Sequence, residues 1–408
     1  MRLFTPRLAP PAVPSCQPRP RARRDGRRDG RESTPTIHKS PKRSGLAAAL
    51  LVVMLAFAAP ATASASASAG AKASEWLASQ LRSTGEGSYC ELFGEESVGE
   101  TIECTLAFKA AGPSFSAQRE ATYEWALANA GDYVGSEPCA TTKEALSAGA
   151  VAKLALGVEA ENGDPESVAG RNLIADLKCL QVPSGSEAGR FSDKNQTNYS
   201  NVTGQSLAII ALKACEANCA SKPNLSASIE AGARYLRGQQ CSASRPKSLN
   251  GAFRSTMGLA ANTCNSEPPF ENESENENAV EVDSTATAVQ ALLADGASES
   301  KSAARAALKW LKKQRKRSRY WENYCSFTES SVIFPSVNST SLAIMADVAG
   351  GVSPGKARTW LDNIVEAQPT GESGLPACTE KGPPEVLATA QGILGIDGTT
   401  YPRLAGLP

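Results

Sequence analysis

Two apolar patterns alternate along the chain. The first is amphipathic, with large apolar residues on one stripe and charges elsewhere, as in residues 307–316 (ALKWLKKQRK). It carries an aromatic-Leu-x-x-Gln signature at Trp76-Leu77…Gln80, Tyr235-Leu236…Gln239 and Trp310-Leu311…Gln314, with weaker copies at Trp125, Asp176 and Trp360. The second pattern is Ala- and Leu-rich on nearly all sides and is led by Ser or Thr, at Thr105, Ser147, Ser206, Thr287, Ser341 and Thr389. A striped helix faces solvent on its polar side, whereas a helix apolar all round is buried. The two series interleave, so the chain reads as six repeats of an outer helix, a loop and an inner helix. Outer anchors are 49, 51, 59, 75 and 50 residues apart. The fourth unit is longest because of a loop around residues 241–283.

Helix starts support the inner series. Asn201, Asp283 and Asn338 precede inner segments and are expected as N-caps, with Glu385 in a comparable place after Pro383-Pro384. Sustained period-two runs and Asn-Gly or Asp-Gly hairpins between apolar runs are lacking. The fold class is therefore all-α. Neither the first nor the last repeat has the polar face of a solenoid cap, which favours closure into an α6/α6 toroid, with an open array as the alternative.

The N-terminus stands apart. Residues 1–63 hold 12 Lys/Arg and 3 Asp/Glu, then a 14-residue apolar run at 46–59 and the A-x-A sequence Ala61-Thr62-Ala63. That is the secretory signal pattern, and the run is short for a membrane span of about 20 residues. We expect export, cleavage near residues 63–69, no membrane span afterwards, and a single domain over 64–408. Removing residues 1–63 leaves 30 basic and 39 acidic residues, an acidic body that argues against nucleic acid as a partner. The only histidine, His38, leaves too, which excludes Ser-His-Asp and Cys-His triads and His-ligated zinc; no metal and no cofactor is expected.

Ten cysteines remain, an even number that reads as disulfides in an exported chain. Cys241 and Cys264 bracket the long loop. Cys325 and Cys378 occupy equivalent loops of units five and six, and Cys90 and Cys139 those of units one and two. Cys215 and Cys219 can pair only if their helix has ended, which leaves Cys104 with Cys179.

The aromatic-Leu-x-x-Gln helices, the Ser/Thr-led helices and the six-fold count resemble the terpenoid cyclase/protein prenyltransferase toroid superfamily. Two units add its Gln…Gly-x-aromatic turn, at Gln181…Gly189-Arg190-Phe191 and Gln239…Gly251-Ala252-Phe253. The resemblance implies a toroid over nearly the whole body. The superfamily's catalytic equipment is absent: there is no Asp-Asp pair, no histidine for zinc and no thioester motif. What the resemblance then leaves is its binding branch, the helical domain of cobalamin carriers. We therefore expect an exported, non-catalytic toroid that binds a small molecule (cobalamin-like or isoprenoid-like) or a cell-envelope component. A divergent terpene cyclase, mutase or prenyltransferase using an isolated acid such as Asp283, and a purely structural interaction module, are the alternatives. Inner-helix N-termini would ring the cavity mouth and suit anionic or carbonyl groups. The candidate ligand residues there are Tyr199, Asn201, Gln205, Phe253, Asp283, Trp321 and Asn338.

Overall fold

The computed structural model describes residues 61–243, 246–266, 270–271, 274–324, 333–369, 371–378 and 382–408; the expected signal segment and Cys325 lie largely or wholly outside them. The helices are α1 (Ala61–Gln80), α2 (Val98–Ala111), α3 (Ser116–Ala128), a short α4 (Ala130–Val134), α5 (Ala148–Ala160), α6 (Leu173–Leu180) and α7 (Val202–Asn218). They continue as α8 (Ser226–Gly238), α9 (Val282–Asp295), α10 (Ser298–Gln314), α11 (Val337–Ala349), α12 (Lys356–Ala367), α13 (Val386–Asp397) and α14 (Tyr401–Leu404).

Every outer anchor lies on α1, α3, α6, α8, α10 or α12, and every inner anchor on α2, α5, α7, α9, α11 or α13, except that Ser147 is the N-cap of α5. Each inner helix packs on the next, and α13 returns to α2, closing an α6/α6 toroid. The amphipathic reading holds in α8, which buries Ile229, Gly232, Ala233, Tyr235 and Leu236 along one face. Hydroxyls survive inside the inner ring because Ser206, Thr287 and Ser341 donate to the carbonyls of Val202, Asp283 and Val337 one turn back.

The connecting loops repeat a second device. The backbone N–H of Phe191, Phe253, Trp321 and Leu375 each donates to a side chain on the following inner helix, Gln205, Thr285, Thr340 and Thr389 respectively. The turn glycines just before rest on the next outer helix. A Cβ on Gly189 (φ +97) would meet the Ala231 carbonyl at 2.1 Å, and one on Gly251 (φ +99) the Ala306 carbonyl at 2.6 Å. Only glycine fits such a close approach at positive φ.

Two expected caps are displaced. The strand Val280–Glu281 pairs with Phe253–Arg254, and Ile333–Ser336 pairs with Trp321–Tyr324. These pairings hold the chain extended up to Glu281 and Ser336, which become the residues preceding α9 and α11. Asp283 and Asn338 are consequently second residues of their helices, not caps. Asn201 does cap α7, its Oδ1 accepting from Gly204 N at 2.9 Å.

The disulfides Cys241–Cys264 and Cys215–Cys219 form as expected, the latter where α7 ends. Cys378 is disulfide-bonded, and its expected partner Cys325 lies outside the described residues. The proposed pairing of Cys90 with Cys139 is corrected. Cys90 bonds Cys104 and Cys139 bonds Cys179, because each loop cysteine is stapled within reach of its neighbouring helix, at Cα separations of 6.7 and 6.1 Å. Disulfides of this number belong to an oxidising, extracytoplasmic setting. No helix among the described residues is long and apolar enough to cross a membrane.

Candidate active site in the ring

The toroid has two ends. At the end where inner helices finish, the C-terminal segment enters the ring: α14 contacts α2, α5, α7 and α9. Tyr401 is buried, its backbone N–H donating to Gln290 Oε1 at 2.9 Å. Lys153 Nζ pairs with Glu103 Oε1 at 3.0 Å beside it. Burial works against the Lys153 ammonium, but Glu103, Tyr133 and Glu100 around it outweigh that and raise its pKa. Burial, followed by Glu103, Asp283 and Glu100, holds the Tyr401 hydroxyl well above its ordinary pKa. These charged and phenolic groups thus converge on the interior of the ring, sealed on this side by the tail.

At the other end, three neighbouring inner helices present polar groups from their first turns. Asp283 stands at the start of α9, Asn338 at the start of α11, and Glu385 just before α13. Asn323 Nδ2 donates to Asp283 Oδ2 at 3.3 Å and to Ser339 Oγ at 2.9 Å. The other oxygen of Asp283, Oδ1, is enclosed without a hydrogen-bond partner. Burial raises the Asp283 pKa, partly opposed by Ser339 and Asn323. Asn338 Nδ2 donates to Gln391 Oε1 at 3.0 Å. Asn338 also lines a cleft of about 580 Å³ with Glu91, Leu92, Phe93 and Glu385. Burial raises the Glu385 pKa as well. The mouth therefore offers two carboxyls with enhanced protonation on either side of α11, and amide groups between them. Phe93 and Tyr199 are 79% and 74% exposed on loops that lead into inner helices, where an aromatic face can meet a ligand.

Of the seven residues expected at the mouth, four serve the scaffold. Gln205 is 1% exposed, accepts from Phe191 N, and donates to the carbonyls of Gly189 and Gly232. Phe253 and Trp321 are fully buried; the Trp321 indole donates to the Leu311 carbonyl. Asn201 is half-buried and its Oδ1 is taken by the cap of α7. Loop residues that anchor the inner helices must face the packed layer, so they are unavailable to a ligand. Tyr199 is exposed, and Asp283 and Asn338 are half-buried. Sequence reasoning missed Glu100, Glu103, Lys153, Gln290 and Asn323. The first four are polar residues set inside otherwise apolar inner helices, a legible signal; Asn323 comes from a loop strand and had none.

Among the described residues, the groups whose acid and cysteine atoms lie close enough for an ion each include Cys219, whose sulfur is held in a disulfide.

No family model matches the chain, and no curated protein does. Solved structures do. The chain is similar to the α-1,6-mannanase GH76A of Salegentibacter sp. HEL1_6, at 10% identity and a TM-score of 0.56, covering 82% of this chain and 98% of that one. An inactive variant of that mannanase, with two adjacent aspartates replaced by asparagine and α-1,6-mannotriose bound, matches at 9% identity and TM-score 0.55, over 83% and 99%. The unsaturated glucuronyl hydrolase of Bacillus sp. GL1 matches at 9% identity and TM-score 0.50, over 82% and 95%. At these identities the likeness is one of fold: it supports the α/α toroid and does not single out the terpenoid cyclase branch. It also corrects the functional expectation. The non-catalytic binding role inferred from missing motifs is corrected, because the mannanase and the glucuronyl hydrolase that share this toroid are glycan-cleaving enzymes rather than carriers.

Proposed function

We propose that the protein is an exported glycan-processing enzyme that cleaves glycosidic bonds at the mouth of its toroid. On this reading residues 1–63 are the signal that exports it, and the expected small-molecule or envelope partner is a glycan. The observation that carries the reading is Asp283: it is not a cap, its Oδ1 lies enclosed without a partner, and burial favours its protonated form. A carboxylic acid kept protonated can donate to a departing glycosidic oxygen, and a second carboxylate completes such chemistry. Glu385, across α11, is the second carboxyl. Asn338, Asn323 and Gln391 supply amides for sugar hydroxyls, and Tyr199 and Phe93 supply faces for sugar rings. The adjacent aspartates of the mannanase have no sequence counterpart here, since the chain contains no Asp-Asp pair; its two carboxyls are instead carried on separate helices.

The test is hydrolysis. The exported protein is incubated with soluble α-1,6-mannan and with unsaturated glucuronyl oligosaccharides, and new reducing ends or loss of the unsaturated chromophore is followed. Turnover of either supports the reading; no turnover of either class contradicts it.

A further inference from the structure

On the tail side of the ring, outside the mouth, lies a cleft of about 480 Å³ lined by Glu159, Asp164, Asn218, Ala405, Gly406 and the disulfide Cys215–Cys219. We propose that this cleft is a thiol–disulfide exchange site, in which Glu159 serves as the proton donor and acceptor for Cys215–Cys219 and the co-substrate is a small thiol or dithiol.

Three observations carry it. Glu159 is 7% exposed, and both its carboxylate oxygens are buried with no side-chain partner, the one group that draws on them being the Cys215 backbone N–H. A buried group left unpaired in a folded protein calls for an explanation. Its oxygen lies within 4.8 Å of both sulfurs. In the disulfide form neither sulfur has a proton to offer; in the dithiol form an S–H can donate to the carboxylate, so reduction supplies Glu159 with a side-chain partner. Second, the bridge does little as a staple. It spans a sequence separation of 4, against 14, 23 and 40 for the other three bridges between described residues. The chain-entropy stabilisation falls with loop size. Third, both cysteines line the cleft, and Cys219, at 5% exposed, is the more accessible of the two, Cys215 being 0% exposed. Burial also pushes the Glu159 pKa well above the usual range, against a smaller pull from the Cys215 backbone amide, which favours the proton-carrying form.

An incoming thiolate bonds to Cys219 Sγ, and the Cys215–Cys219 bond breaks. The electron pair stays on Cys215 Sγ, which takes the Glu159 proton. A second thiolate then attacks the external sulfur, releasing Cys219 as a thiol and the co-substrate as its disulfide. The two protons lost by the thiols restore Glu159 and Cys219. The protein disulfide is reduced and two thiols are oxidised.

The test compares wild type, Glu159→Gln and Glu159→Asp in native buffer with excess dithiothreitol. Free thiols are trapped at intervals and assigned by peptide mapping. Cys139–Cys179, whose Cys179 is exposed, is the internal control. The expected result is about tenfold or greater slowing at Cys215–Cys219 in Glu159→Gln, within the reach of acid catalysis, with the control rate unchanged and Glu159→Asp in between. Equal rates at Cys215–Cys219 in wild type and Glu159→Gln would overturn the proposal, as would no reduction of that bridge in folded wild type. If Glu159→Gln does not fold, Glu159→Asp decides: slowing relative to the control supports the site, and an unchanged ratio overturns it.

Discussion

Gly374, in the loop of the last hairpin, lies so close to Trp76 of the first outer helix that a Cβ placed there would come within 2.4 Å of the indole. In units three and four the turn glycine rests on the next outer helix; here the next is α1, so this contact is where the ring shuts. Gly87 (φ +129) repeats the device in unit one, its hypothetical Cβ 2.4 Å from the Ala121 carbonyl.

Gly374→Ala should therefore open the seam. Overpacking of this kind costs about 1–3 kcal/mol. Urea unfolding checks it: the midpoint should fall with an unchanged slope, while Gly131→Ala, in helix α4 where a Cβ meets nothing within 4 Å, should leave the midpoint in place or raise it.

Gln205→Leu keeps the approximate size of the side chain but strands the Phe191 N–H in the interior and leaves the Gly189 carbonyl with only the Gln181 amide at 3.5 Å. Unpaired buried groups cost about 1–3 kcal/mol each, so a loss of about 2–4 kcal/mol is expected in the same unfolding assay. A loss below about 0.5 kcal/mol would show that Gln205 is not the clamp described here.

The architecture was readable because its signals are collective. Six outer stripes and six inner apolar runs impose one layered solution, and small errors in any single unit do not disturb it. The site was less readable because the same residue types serve two ends. A Gln, Phe or Trp in the turn before an inner helix looks suited to a ligand, yet Gln205, Phe253 and Trp321 tie the loops to the inner helices. Asp283 and Asn338 looked like caps, and only the short strand pairings that displace the helix starts release them. The function was misjudged by arguing from missing motifs. Absence of an Asp-Asp pair excludes one arrangement of acids, not acids held on separate helices such as Asp283 and Glu385.

Stability should rise on mild acidification. Burial pushes Asp347 and Asp397 from 3.8 up to about 6. A raised carboxyl means that the fold prefers the protonated form. Its contribution is fully present below about pH 3.8 and is lost as pH rises through about 6. The unfolding midpoint should therefore be higher at pH 5 than at pH 7.5. Asp347→Asn should stabilise the protein at pH 7.5, by on the order of 1–3 kcal/mol, and flatten the pH dependence. A midpoint that falls steadily from pH 7.5 to 5 would contradict the assignment.

The most direct measurement is the hydrolytic rate of Asp283→Asn against wild type on whichever glycan the wild type cleaves, with thermal unfolding of both recorded. Asparagine preserves the shape and the neighbours of Asp283 but has no acidic proton. Loss of an acid catalyst costs about 10²–10⁴-fold in rate. Asp283→Asn should lose at least about 100-fold with an unfolding midpoint equal to or above that of wild type, since an enclosed and partly unpaired carboxyl has been neutralised. A variant that folds and retains wild-type hydrolysis would contradict the assignment of catalysis to the mouth of the ring.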